Sequence, residues 1–102
     1  MSFYHHVYFY PVTPNNPDNQ QALITLCNTY LADIPGLTHY SLGQPAGTDR
    51  AVVDNDYIVA LFLEFPDGET EKAYQAHPQH LQFIAESRPL WSHVRVYDSN
   101  SL

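Results

Sequence analysis

The segment from Tyr57 to Phe65 constrains the fold of this chain more than any other part of the sequence. Its apolar residues stand at both odd and even positions: Ile58, Val59, Leu61, Phe62 and Leu63. Successive side chains of a β-strand point to opposite faces of the sheet. A strand with this pattern needs cover on both faces, so the fold must place a layer on each side of it.

The first half of the chain has the pattern of a strand, a helix and a second strand. Phe3 to Tyr10 is rich in aromatic residues, which favours a strand. Asn16 and Pro17 are typical of a helix start, and an apolar stripe at helical spacing follows them. The stripe consists of Leu23, Leu26, Cys27, Tyr30 and Leu31. The Ile-Pro-Gly sequence at 34–36 ends this helix, and Leu37 to Leu42 is a predicted strand.

The second half begins with a loop, from Gly43 to Asp56, which precedes the doubly apolar strand. Glu69 to Ala76 is a predicted helix, Pro78 breaks it, and a further helix runs from His80 to about Arg88. Trp91 to Asp98 is the last predicted strand. The order β-α-β-β-α-β predicts an α+β, ferredoxin-like fold, in which helices cover one face of a four-stranded antiparallel sheet. The length of 102 residues fits a single domain, 1–102.

Helices on one face leave the opposite face of this sheet without cover. Along the first and last strands, aliphatic side chains alternate with tyrosine, histidine and arginine, so one face suits a core and the other a protein interface. We expect a second copy of the chain on that face, in a homodimer pressed sheet to sheet. A solvated sheet face is the alternative. The residues expected near the dimer contact are His6, Tyr8, Tyr10, Phe62, Arg95 and Tyr97.

The charge balance excludes several classes of partner. Four Lys and Arg stand against eleven Asp and Glu, giving a formal net charge of −7. Such a chain cannot neutralise many phosphates, so we expect no nucleic-acid partner and no anionic membrane surface. No apolar run reaches the ~20 residues of a membrane span, and no signal peptide is evident. The single cysteine, Cys27, forms no internal disulfide and fits a reducing, cytoplasmic location.

Histidine and tyrosine are the residues best suited to chemistry here. Tyr74, His77 and His80 cluster around the bend at Pro78, and His5 lies on the side of the first strand that faces the helices. A histidine can act as a general base, and a tyrosine hydroxyl can donate to a developing oxyanion. The alternative is structural, with His80 fixing a loop carbonyl and Tyr74 filling space. His77 and His80 have no evident third ligand, so we expect no metal site.

Several motifs together resemble the stress-responsive A/B barrel (Dabb) domain family over residues 3–98. They are the strand start His5-His6-Val7-Tyr8-Phe9, the Ile-Pro-Gly turn at 34–36, the strand at 57–65, and the closing strand from Trp91 with residues 94–98. The most specific motif is Tyr74-x-x-His77-Pro78-x-His80-x-x-Phe83. The resemblance implies a homodimeric α/β barrel built from two ferredoxin-like subunits.

The resemblance also implies a candidate site. The catalytic tyrosine and histidine of the family's plant polyketide cyclase match Tyr74 and His80, and a pocket histidine matches His5. A further pocket histidine of that cyclase is replaced by Val59 in this chain. The pocket region around the motif also includes His77. The apolar wall implied by the resemblance consists of Val7, Phe9, Leu23, Ile24, Cys27, Leu61, Leu63 and Trp91.

The chemistry implied by the resemblance is proton abstraction next to a carbonyl without a cofactor. His80 would be the base, Tyr74 would stabilise the enolate, and His5 would assist. The expected function is therefore a cyclase, isomerase or lyase acting on a small carbonyl or phenolic compound. A non-catalytic ligand-binding or stress-response dimer is the alternative. A cofactor-free monooxygenase is a weaker one, which rests on analogy between folds alone.

Overall fold

A computed structural model describes residues 1–102. Its strands are β1 (Phe3–Pro11), β2 (His39–Gly43), β3 (Val59–Phe65) and β4 (Trp91–Asn100). Its helices are α1 (Asp18–Tyr30), α2 (Gly68–Ala76) and α3 (Pro78–Ser87), and a short 3₁₀ turn (Arg88–Leu90) precedes β4. The strands form one antiparallel sheet in the order β2-β3-β1-β4. The predicted ferredoxin-like arrangement is thus confirmed. No helix is long and apolar enough to cross a membrane.

The boundary between α2 and α3 differs from the prediction by two residues. The helix expected to begin at His80 begins at Pro78, because His77 acts as its N-cap. The Nδ1 of His77 accepts a hydrogen bond from the backbone N–H of Gln79 at 3.1 Å. Proline has no N–H to satisfy, so it fits the first turn of the new helix. The chain therefore bends sharply at 77–78, and both helices end beside the same part of the sheet.

The Gly36 turn helps to set the position of α2. Gly36 has a φ of +98°, which favours glycine, and a Cβ there would lie 2.5 Å from the Cγ2 of Thr70. Thr70 belongs to the first turn of α2, where its N–H donates to the side chain of the N-cap residue Asp67 at 2.8 Å. This hydrogen bond lowers the pKa of Asp67. The turn after α1 and the start of α2 thus fit closely together.

The core fills the space between the helices and one face of the sheet. The β3 residues that point toward the helices are all buried, as are the facing residues of α1: Val59, Leu61, Leu63, Phe65, Leu23 and Cys27. Burial raises the pKa of the Cys27 thiol to about 12. A thiol with such a pKa stays protonated at neutral pH, so Cys27 packs as a small apolar side chain.

The other face of the sheet carries no helix. Its aromatic side chains contact one another, with ring centroids 5.0 Å apart for Tyr8 and Tyr57 and 6.1 Å apart for Tyr8 and Tyr97. Tyr97 is 58% exposed. Tyr10 is buried, because its hydroxyl donates to Asp54 of the 44–58 loop at 2.5 Å. This loop therefore covers one end of the face and leaves the rest open.

Candidate functional site

A cavity of about 160 Å³ lies between the α2–α3 corner and the helix-facing side of β1 and β4. The structure brings all three predicted catalytic residues to it, Tyr74, His80 and His5. The predicted wall residues that line it are Val7, Phe9, Leu61 and Trp91. Its remaining lining residues were not singled out in the sequence as a pocket wall: Gln75, Phe83, Ile84, Val94 and Val96. The wall is mostly apolar, with the polar groups gathered at the α2 end.

Tyr74 points from α2 into this cavity. The side chain is buried, yet its hydroxyl has no hydrogen-bond partner within the chain. No fully buried side-chain oxygen or nitrogen lacks a partner, so the Tyr74 hydroxyl must reach the cavity space. Burial, with smaller contributions from Cys27 and Glu71, raises the pKa of Tyr74. The phenol therefore keeps its proton and can donate it in a hydrogen bond to a ligand.

His80 lies against Tyr74, with the ring centroids 4.6 Å apart. Its Nδ1 is 3.1 Å from the carbonyl oxygen of Gln75. A carbonyl oxygen can only accept, so Nδ1 carries the hydrogen and the lone pair is on Nε2. Nε2 has no partner within the chain. Burial lowers the pKa of His80 from its ordinary value of 6.5, so the imidazole is neutral at pH 7 and suited to accept a proton.

His5 is held by carboxylates at the back of the cavity. Its Nδ1 is 2.6 Å from the Oδ1 of Asp98 and 3.9 Å from the Oε2 of Glu71. Asp98 reaches this position because β1 and β4 pair His5 with Asp98 directly. A carboxylate accepts the Nδ1 hydrogen, which turns Nε2 toward other partners. The rings of His5 and Tyr74 are 6.0 Å apart, so all three side chains belong to one cluster.

Sequence reasoning did not single out Asp98 or Glu71 as part of the site. Aligning the first and last strands antiparallel would have placed Asp98 opposite His5. Glu71 precedes Tyr74 by three residues, which puts both on one side of a helix. Each signal depends on a strand register or helix face, and a motif read as a linear string does not include it.

Other predicted pocket residues lie elsewhere. Leu23, Cys27, Val59 and Leu63 are completely buried in the core, where α1 packs against β3 without leaving a gap. Ile24 borders a separate shallow depression beside β2. His77 caps α3 and does not line the cavity. No group of three or more His, Cys, Asp or Glu side chains lies close enough together to hold a metal ion.

A second, wider hollow of about 420 Å³ lies on the helix-free face of the sheet. It is lined by His6, Tyr8, Tyr10, Asp54, Tyr57 and Tyr97. Four of these residues were predicted to lie at a dimer contact. Of the remaining two predicted contact residues, Phe62 stacks near His6 at 4.8 Å between ring centroids, and the Arg95 guanidinium lies 5.7 Å from the Tyr10 ring. The six predicted contact residues thus share one face of the sheet.

Solved structures with the same fold come from distant organisms. A dimeric ferredoxin-like protein of unknown function from Thermobifida fusca is 24% identical, with a TM-score of 0.79 over 97% of this chain and 90% of that one. A Dabb family protein from Mesorhizobium loti is 20% identical, with a TM-score of 0.79 over 99% and 97%. A hydroxynitrile lyase from Passiflora edulis is 17% identical, with a TM-score of 0.76 over 96% and 91%.

The family assignment rests on a match that spans almost the whole chain. No curated protein matches it in sequence. The model of the stress-responsive A/B barrel domain, however, matches residues 4–101, which include the full sheet, all three helices and the Tyr74–His80 motif. The fold of the Mesorhizobium loti protein agrees with this match. The chain therefore belongs to the stress-responsive A/B barrel (Dabb) domain family.

Proposed function

We propose that this chain binds a small carbonyl compound in the α2–α3 cavity and removes a proton from the carbon next to the carbonyl, without a cofactor. The observation that carries the proposal is that two reactive groups open unpaired on the same apolar space. These are the Nε2 of His80 and the hydroxyl of Tyr74. A polar group that serves only the fold is satisfied by protein partners, whereas these two groups are available to a ligand.

The proposed step needs only these two side chains. The Nε2 of His80 takes a proton from the carbon beside the carbonyl, and the electron pair of the C–H bond moves onto the carbonyl oxygen. The hydroxyl of Tyr74 donates a hydrogen bond to this oxygen as its negative charge develops. Gln75 stabilises the imidazolium through its carbonyl. The proton then returns to a carbon or oxygen of the product, so the protein ends the cycle unchanged.

Cyclisation, isomerisation and bond cleavage next to a carbonyl all contain such a step. The Passiflora edulis protein with this fold is a lyase, which supports the reaction class. The cavity size supports a small substrate, since an apolar cavity of about 150 Å³ holds benzene, and this one has about 160 Å³. A compound with one ring and a carbonyl group fits that space.

Acetophenone in D₂O tests this proposal directly, because exchange of its methyl protons for deuterium is the proposed step itself. Proton NMR follows the methyl signal with and without protein, and the ring signals report binding. We expect the protein to accelerate exchange over buffer. Binding without exchange would leave the ligand-binding role as the function. Neither binding nor exchange would overturn the proposal.

Replacing Tyr74 by phenylalanine is expected to slow this exchange by a factor of about 10²–10³, which is typical for the loss of one oxyanion donor. Stability is expected to change little, because the hydroxyl has no hydrogen-bond partner within the chain. The exchange rate and a urea titration measure the two effects. Tyr57→Phe, on the helix-free face, is the matched control and should keep the full rate. Equal rates in the two variants would exclude Tyr74 from the mechanism.

We also propose that the chain forms a homodimer through the helix-free face of the sheet. The aromatic side chains there are too exposed for a stable free surface, with Tyr97 58% exposed. Aromatic residues are enriched where proteins associate. The Thermobifida fusca protein with this fold is dimeric, which supports the same arrangement.

The double substitution of Tyr8 and Tyr97 by aspartate is expected to raise the dimer dissociation constant by about a hundredfold or more. Association would bury two unpaired carboxylates from each copy, at a cost of several kcal/mol. Sedimentation velocity measures the change as a shift from dimer to monomer. Leu81→Asp, on an exposed position of α3, is the control and should leave the dimer intact. An unchanged dimer in the double variant would contradict the proposed interface.

A further inference from the structure

The α2 end of the cavity carries negative charge. The Nδ1 of His5 lies between two carboxylates, 2.6 Å from Asp98 and 3.9 Å from Glu71. An imidazole carries at most one positive charge, so it cannot neutralise both carboxylates. This end of the cavity keeps a net negative charge whether His5 is protonated or not.

Glu71 is the less exposed of the two carboxylates and connects both histidines. Its side chain is 13% exposed, against 42% for that of Asp98. It accepts a hydrogen bond from the side-chain amide of Gln75 at 2.6 Å, and the backbone carbonyl of Gln75 holds His80. A carboxylate fixed in this way and partly removed from water acts on its surroundings with less screening than one on the surface.

No cation offsets this charge within the cavity. The lining residues include no lysine or arginine. Arg88 is near the wall, but its guanidinium lies over the Trp91 ring and donates to the Trp91 carbonyl at 2.8 Å. Arg95 contacts Tyr10 on the opposite face of the sheet. An anionic ligand would therefore find two carboxylates near it and no paired donor such as arginine.

The other end of the cavity is apolar and open. Val96 is 46% exposed and Ile84 is 37% exposed, and both line the cavity together with the half-buried Val94. Such a surface favours the apolar part of a ligand and gives a charged group nothing to bind. The two ends of the cavity therefore select for the same type of molecule, one with an apolar body and an uncharged polar group.

We infer that the cavity accepts uncharged carbonyl compounds, aldehydes or ketones, and rejects carboxylates of the same shape, with Glu71 as the residue that determines this specificity. The inference rests on the proposed function, since it concerns the ligand of the same site. It narrows the substrate class from carbonyl compounds in general to those without a negative charge on or beside the carbonyl.

Acetophenone and benzoate are the probes for this inference, because they have nearly the same shape and differ in charge. Their dissociation constants at pH 7 are measured by NMR titration with the wild type, Glu71→Gln and Glu69→Gln. Glutamine at position 71 keeps an oxygen to accept from Gln75 and removes the charge. Glu69 is an exposed carboxylate in the same helix and serves as the matched control.

The wild type is expected to bind acetophenone at least about tenfold more tightly than benzoate, the size of effect that one charge produces at short range in a protein. Glu71→Gln should reduce this ratio severalfold by improving benzoate binding, and Glu69→Gln should leave it unchanged. Equal binding of the two probes by the wild type would overturn the inference. An unchanged ratio in Glu71→Gln would overturn the role of Glu71.

The two proposals fail in different ways. Deuterium exchange of acetophenone together with equal benzoate binding would overturn the charge selection and keep the proposed function. Selective acetophenone binding without exchange would overturn the catalytic function and keep the charge selection. Failure to bind either probe would overturn both.

Discussion

Replacing His80 by asparagine is expected to lower the rate of proton exchange at acetophenone by a factor of about 10²–10⁴, the usual contribution of a general base. The Nε2 of His80 is the unpaired basic nitrogen beside the Tyr74 hydroxyl. Asparagine is polar and smaller, and its amide cannot accept a proton at neutral pH. Acetophenone binding should persist, because the apolar wall is unchanged. Exchange rates and NMR titrations of the same samples measure both quantities.

The pH dependence of the wild type gives an independent readout of the same base. Burial lowers the pKa of His80 below 6.5, and the base works only in its neutral form. The rate is therefore expected to be constant near pH 7 and to fall as the pH drops through this lowered pKa. His39→Asn, an exposed histidine on β2, is the control and should retain the rate and the profile. A rate of His80→Asn close to that of the wild type would show that another group takes the proton.

The sequence alone predicted the fold well because its signals were local. The alternation of side chains in β1 and β3, the apolar stripe of α1 and the break at Pro78 each specify one element. Boundaries were less certain where a side chain decides them. The cap formed by His77 starts α3 at Pro78, and β4 continues to Asn100 because it pairs with β1 along its whole length. Such effects depend on contacts that a sequence pattern does not contain.

The candidate site was predictable only as far as its motif extends. The motif named Tyr74 and His80, and the first strand named His5. The two carboxylates that hold His5 come from a cross-strand pair and from the neighbouring turn of α2, so they required the register and the helix face. The wall was harder still, because apolar residues that fill a core and those that line a cavity have the same pattern in the sequence.

The closeness of packing around the site leads to the last prediction, which concerns stability. Phe65→Ala is expected to lower the free energy of unfolding by about 3–5 kcal/mol, the usual cost of a buried phenylalanine. Phe65 is completely buried at the end of β3, and its ring lies 5.2 Å from that of Tyr74. The loss would be a large part of the ~5–15 kcal/mol that stabilises a typical domain.

Urea unfolding followed by circular dichroism measures this loss at a fixed protein concentration, since association adds to apparent stability. Val52→Ala is the control, because Val52 is 80% exposed and should cost less than about 0.5 kcal/mol. Any Phe65→Ala protein that still folds should also have a slower exchange rate, because the cavity left behind lets the Tyr74 ring move. A loss below about 1 kcal/mol would mean that the core at this end relaxes freely, and Tyr74 would then owe its position to α2 alone.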